Sequence, residues 1–321
     1  MLPPVLEMRP LYVEKLWGGA RIAAVPAKLR PGHAPPPGPV GEAWEVADLP
    51  EGSSCVAGGP LAGVPLRALV QEHGRALAGA RAREHAGVLR FPLLVKLIDA
   101  RDQLSVQVHP GQAYARRHPA ASPKDEAWLA LHGPPACTVL HGLREGVGRA
   151  EAARALRDGR VDEVLRALPL ARGDLLHVPP GTLHGIGAGC FLLEVQEPSD
   201  TTFRVWDYGR RDGAGQLRPV HVEQALEATS WETPPPTVVR AGAALETAAF
   251  SLATRALRSA EVLTIAKPRE EPAVVHVVSG AVRLGHVPLV EGATALVTPG
   301  ADVQAVAMGA ALLAVMGTGA P

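Results

Sequence analysis

The stretch Gly173-Asp174-Leu175-Leu176-His177-Val178-Pro179-Pro180-Gly181-Thr182-Leu183-His184 decides the reading of this chain. Asp174–Val178 is short and apolar, and it runs into two prolines that cannot continue the hydrogen bonding of a sheet. The Pro-Gly pair then reverses the chain, since glycine takes up tight-turn angles without strain. His184 opens the returning strand. The spacing G-x5-P-x-G-x2-H thus fixes one imidazole through backbone geometry, aimed at the mouth of a β-structure.

Working outward, more short strand-like runs surround this turn: Phe91–Ile98, Leu104–Val108, Cys137–Leu140 and Phe191–Val195, each bounded by turn residues. Helical text is interleaved. From Val64 to Gly87 the chain is Ala/Leu/Arg-rich, with Leu66, Leu69 and Val70 at helical spacing and Gly74 and Gly79 as breaks. A second pair is expected at Arg149–Arg157 and Val161–Leu168, split by Asp158-Gly159. Pro31–Pro39 reads as a surface loop and Thr233-Pro234-Pro235-Pro236 as a linker. Beyond it lie Val262–Ile265, Val274–Val278, Val282–Leu284, Ala295–Val297, Val303–Val306 and Leu312–Val315, with glycines between. The expectation is a mainly β chain of two β domains, residues 1–233 with helical insertions and residues 234–321 without.

Composition excludes several functions. The chain has 321 residues, about two ordinary domains, with 32 Lys+Arg against 32 Asp+Glu and 47% hydrophobic residues. No basic excess is present to meet nucleic-acid phosphate. No apolar run reaches the roughly 18–20 residues of a membrane helix, and the N-terminus lacks a signal pattern. A cytoplasmic protein is expected, monomer or dimer. Cys55, Cys137 and Cys190 are far apart and form no CxxC pair, so neither a disulfide framework nor a thiolate metal site is expected. Any metal must be held by nitrogen and oxygen. Lysines are only Lys15, Lys28, Lys96, Lys124 and Lys267, against many arginines.

Six of twelve histidines fall between His109 and His184. In Leu104-Ser105-Val106-Gln107-Val108-His109-Pro110, strand alternation puts Ser105, Gln107 and His109 on one face. Such a polar row is costly to bury unless it binds something. Two imidazoles and an amide would leave a divalent ion short of negative charge, which Glu126 in Lys124-Asp125-Glu126 could supply. Gly185-Ile186-Gly187-Ala188-Gly189 lacks the strand–turn–helix setting of a nucleotide loop and reads as a hairpin turn. His276 and His286 have no matching carboxylate, so no metal is expected there.

The Pro-Gly-His stretch resembles the second sequence motif of cupin barrels, although Ala188 stands where an asparagine is usual. Read together with Trp17-Gly18-Gly19, Gly41-Glu42-Ala43-Trp44-Glu45, Phe91 to Lys96, Leu104 to Pro110, Lys124-Asp125-Glu126 and Ser199-Asp200-Thr201-Thr202-Phe203-Arg204, the chain resembles type I mannose-6-phosphate isomerases of the short bacterial form. The likeness runs to about Arg211 and weakens beyond. It implies two cupin-like, jelly-roll β-barrel domains, the second without metal and serving packing or site shaping, or alternatively interaction. It implies Gln107, His109, Glu126 and His184 as ligands of one divalent ion, zinc or another metal. It implies Arg204, Lys124 and Asp200 as catalytic residues, and Lys96, Ser105 and Arg210 as holders of the substrate phosphate. Arg210 stands where relatives can carry lysine, and His177 replaces a more usual aromatic.

The reaction so implied moves a proton between C1 and C2 of an open sugar phosphate through a cis-enediol. Arg204 stays protonated and can stabilise charge or position substrate. Proton transfer is left to Lys124 first, then Asp200, a bound water or a carboxylate. Rival readings are another metal-dependent cupin enzyme, such as a dioxygenase or a different sugar-phosphate isomerase, and a nonenzymatic sugar-binding cupin.

Overall fold

The computed structural model describes residues 2–85, 87–132, 137–232, 235–240, 242–265, 267 and 269–318. The strand Leu94–Asp99 shows how its layers arise. It is buried along its whole length, as a central strand covered on both faces must be. Val95 and Leu97 face an apolar cluster with Leu6, Leu252, Leu296 and Met316. Ile98, on the opposite face with Lys96, joins Trp128, Val139 and Ile186.

That strand lies in a seven-stranded sheet ordered Val238–Val239, Leu175–Val178, Glu126–His132, Phe191–Gln196, Leu94–Asp99, Val40–Val46, Leu11–Gly19. On its Lys96 side stands a five-stranded sheet, Leu165–Leu170, Cys137–Leu143, His184–Ile186, Val106–Val108, Phe203–Trp206. On its Leu97 side packs a second seven-stranded sheet, ordered Ala244–Glu246, Phe250–Leu257, Ala311–Thr318, Ala273–Ser279, Thr294–Val297, Val5–Arg9, Cys55–Val56. The strands Val262–Thr264, Gln304–Ala307, Ala281–Leu284 and Val287–Val290 form the fourth layer, over Val275, Val277 and Leu313. Each fully buried leucine in these layers contributes about 1.5–3 kcal/mol through lost contact with water. The fold is mainly β and cupin-like. Its sheets pack as open sandwiches and do not close into hydrogen-bonded barrels.

The joint expected at 233/234 falls partly outside the described residues, at Thr233 and Pro234. Strands on either side of it share sheets. Val5–Arg9 pairs with Thr294–Val297, and Val238–Val239 pairs with Leu175–Val178.

Helices Leu66–His73 and Arg75–Ala78 end at Gly74 and Gly79, both at positive φ, as the sequence suggests. The second helical pair needs correction. Arg149–Arg157 is helical, but the next helix is only Val161–Val164, and Leu165–Leu170 is a strand paired with Cys137–Leu143. Pro169 explains the switch: it cannot sit inside a helix, yet an edge strand tolerates its missing N–H. The cysteines need correction too. Cys137 and Cys190, 53 residues apart, are disulfide-bonded with Cα atoms 5.0 Å apart, while Cys55 is free. The hairpin turn after His184–Ile186 returns across Thr138, whose carbonyl accepts from Gly187 N, and so brings Cys190 beside Cys137.

Candidate active site and metal centre

The turn read from the sequence forms as expected: Gly181 has φ +85°, and its N–H donates to the His109 carbonyl at 2.7 Å. One hydrogen bond therefore joins the two histidine contexts. Gln107 lies opposite His184 on one side and Arg204 on the other, so three neighbouring strands present these residues together. Glu126, at the start of Glu126–His132, comes from the facing sheet.

His109, Glu126 and His184 are each about 1% exposed, and their ligand atoms lie within 4.8 Å of one another. Glu126 Oε2 is 3.3 Å from His109 Nε2, and Oε1 is 3.4 Å from His184 Nε2. Each ring is oriented from behind. His109 Nδ1 lies 3.0 Å from the Thr201 carbonyl and His184 Nδ1 lies 2.8 Å from the Thr182 carbonyl. A carbonyl only accepts, so both Nδ1 atoms carry the proton and both Nε2 lone pairs point inward. Burial, then Lys124, pushes His109 down to about 3, and burial lowers His184. Burial alone would raise Glu126. The Lys124 ammonium is the main opposing cause, and the carboxyl is held well below the usual range. Two neutral imidazoles and a carboxylate without a well-formed hydrogen bond on either oxygen suit a divalent cation such as zinc.

Gln107 Nε2 stands 3.5 Å from His109 Nε2 and 3.3 Å from His184 Nε2, while its Oε1 accepts from Ser105 Oγ at 3.1 Å. Rotating the amide would turn the oxygen to the centre as a fourth ligand. Lys124 Nζ is 3.0 Å from Glu126 Oε2 and 3.1 Å from His109 Nε2. Asp200 is exposed on the loop before Phe203–Trp206.

Lys96 is already matched. Its Nζ donates to Glu194 Oε1 at 3.0 Å and Gln196 Oε1 at 2.8 Å, and Trp128 Nε1 donates to the other Glu194 oxygen. Arg204 is different: its Nε is buried without a hydrogen-bond partner among the described residues. Burial, then the neighbouring Arg218, lowers its guanidinium from the usual value. Asp207 bridges Arg210 and Arg218, each at 3.1 Å, and Arg210 also donates to the Gln103 carbonyl. Two arginines thus share one carboxylate, and Arg204 forms no ion pair among the described residues. Sequence reasoning missed Arg218. The Arg211↔Leu217 bridge folds the intervening loop back, and Arg218 N then donates to the Arg210 carbonyl. His177 faces Asp125, with Nε2 2.7 Å from Oδ1.

Residues 5–134 match the family model for the phosphomannose isomerase type I catalytic domain. A mannose-6-phosphate isomerase of Streptococcus mutans is 36% identical over 223 residues, which is 68% of this chain and 67% of that protein. The mannose 6-phosphate isomerase structure from Bacillus subtilis superposes with a TM-score of 0.79 at 26% identity, covering 98% of this chain and 99% of that one. One solved bound with zinc and yttrium gives 0.74 at 18% identity over 99% of this chain and 100% of that one, a likeness of fold. From the sequence match over two thirds of each chain, this chain belongs to the type I phosphomannose isomerase family.

Proposed function

We propose that the chain interconverts mannose 6-phosphate and fructose 6-phosphate at the His109–Glu126–His184 centre, as its relatives' names indicate. The observation that carries the reading is the juxtaposition of a three-residue ligand cluster with Arg204, which lies opposite Gln107 on the neighbouring strand. His109, Glu126, His184 and, once its amide turns, Gln107 would hold one divalent ion, zinc first. When bound, that ion supplies Lewis-acid stabilisation of negative charge on sugar oxygens. Arg210 and Arg218 anchor the phosphate with Ser105 and Lys96, so the sugar's reacting end is oriented by its far end, and Arg204 stabilises the charge that develops at that reacting end. Lys124 is the amine placed to carry the proton between C1 and C2 of a cis-enediol, with Asp200 as the alternative group. Among the described residues no helix is long and apolar enough to cross a membrane.

The test is a coupled assay for fructose 6-phosphate formed from mannose 6-phosphate, before chelation, after verified metal removal and after restoration. Turnover lost and then restored supports the reading. Undiminished turnover in metal-free protein removes the metal centre from the mechanism. Oxygen uptake with iron and no isomerisation would instead make the chain an oxygenase.

A further inference from the structure

The layer between the two seven-stranded sheets is filled by leucine, valine and phenylalanine, except at one end. There a cavity of about 290 Å³ opens among Leu97, Leu131, Phe191, Val278 and His276. It lies on the Leu97 face of the catalytic sheet, opposite the face that carries Lys96. The apolar members alone would make an unremarked packing gap. His276 makes it a directed one, because this ring is 1% exposed, lines the cavity and has one nitrogen without a partner among the described residues.

The hydrogen-bond chain behind His276 fixes which nitrogen carries the proton. Lys28 Nζ is 2.6 Å from Glu45 Oε1, so the Glu45 carboxylate is ion-paired and accepts. Thr294 Oγ1 spends its single proton on Glu45 Oε2 at 2.9 Å. His276 Nδ1, 2.8 Å from Thr294 Oγ1, must therefore donate to it. In the neutral ring this leaves Nε2 as a bare acceptor. An occupant has to bring an N–H or O–H to that atom and an apolar body to the leucines and Phe191.

Charge and size narrow the class. Arg21 is matched by Asp99, and Arg172 and Glu291 carry opposite signs, so the lining has no net charge to attract an ion. Arg21 already lies over the Phe191 ring at 5.2 Å, a surface suited to an aromatic plane. An engineered cavity of about 150 Å³ holds one benzene ring. The larger space here suits a fused pair of rings.

We propose that this cavity is a second ligand site, separate from the metal centre, for a small uncharged bicyclic aromatic whose ring N–H or O–H donates to His276 Nε2. The proposal stands independently of the isomerase reading. The probe is indole, titrated calorimetrically into the full chain beside 1-methylindole, which keeps the fused rings but carries a methyl group in place of the N–H donor. Indole should bind at one saturable site, with 1-methylindole about tenfold weaker, the worth of one net hydrogen bond. Equal affinity for the two, or no saturation by indole up to its solubility, overturns the proposal. Leu131→Trp, which fills the cavity from the opposite sheet, should abolish indole binding with the circular dichroism spectrum kept. Binding that survives in that folded variant puts the ligand elsewhere and also overturns it. The indole and 1-methylindole comparison needs no variant, so a misfolded Leu131→Trp leaves the test intact.

Discussion

His109 and His184 each give their Nδ1 proton to a main-chain carbonyl, so two lone pairs converge on a carboxylate whose oxygens lack well-formed hydrogen bonds. His109→Ala or His184→Ala removes a neutral ligand and should drop bound metal from about one ion per chain to a small fraction, read by elemental analysis. Arg204→Ala should leave the metal in place and lower kcat/KM by about 10²–10³. Metal loss in the arginine variant would contradict that division of roles. Arg218 makes a sharper case, since it shares Asp207 with Arg210 at the proposed phosphate end. Losing one charge-assisted hydrogen bond costs about 1.5–3 kcal/mol, so Arg218→Ala should raise KM for mannose 6-phosphate about ten- to hundredfold and leave kcat within about twofold. An unchanged KM removes Arg218 from the anchor. The two histidines were legible because a Pro-Gly turn and strand alternation fix direction locally. Glu126 was less so, since it reaches the centre from the facing sheet: the need for negative charge made it a candidate, and the resemblance singled it out. Arg218 had no local signal, because only the folded loop after Arg210 returns it to the site.

Short strands and glycine turns read correctly where neighbours in sequence are neighbours in space, as at Asp174–Val178 and its return at His184. The reading failed at Leu165–Leu170, where Pro169 bars a helix locally and the edge of Cys137–Leu143 supplies the strand partner. Cys137 and Cys190 are brought together by the same kind of remote hairpin packing. One polar clasp joins three elements in the same long-range way. Lys28, in the 3-10 helix Pro26–Leu29, meets Glu45 in Val40–Val46, and Glu45 accepts from Thr294 in Thr294–Val297. Both ion-paired side chains are at most 2% exposed. Burial pushes Glu45 up, and Lys28 is the main counterweight. Lys28→Met keeps the packing but strands the carboxylate, so urea unfolding should show a loss of about 3–5 kcal/mol. A loss below about 1 kcal/mol would mean that Glu45 is held neutral and the clasp is no ion pair.

At the scale of the whole molecule, the N-terminal strand Val5–Arg9 inserts between Thr294–Val297 and Cys55–Val56, so the inter-sheet layers unite both ends of the chain. Unfolding should therefore be cooperative across the two sandwiches, with buried titratable groups setting its pH dependence. His141 is pushed down to about 4 by burial, and His276 to about 3 by burial and Lys28. In the unfolded chain both titrate near 6.5. As pH falls below 6.5 the unfolded chain takes up protons that the native rings refuse, so the native state loses ground from about pH 6.5 down to about pH 4. Each ring contributes about 1.4 kcal/mol per pH unit inside that window and nothing above it. Urea unfolding of the metal-depleted chain at pH 7, 6 and 5 should give a stability that declines increasingly steeply, approaching about 2.7 kcal/mol per unit from these two rings. His276→Gln keeps a polar side chain and cannot titrate, so it should flatten the decline by about half that amount. An identical slope in the variant would mean that His276 takes its proton in the folded state, and that the Thr294–Glu45 chain does not hold it neutral.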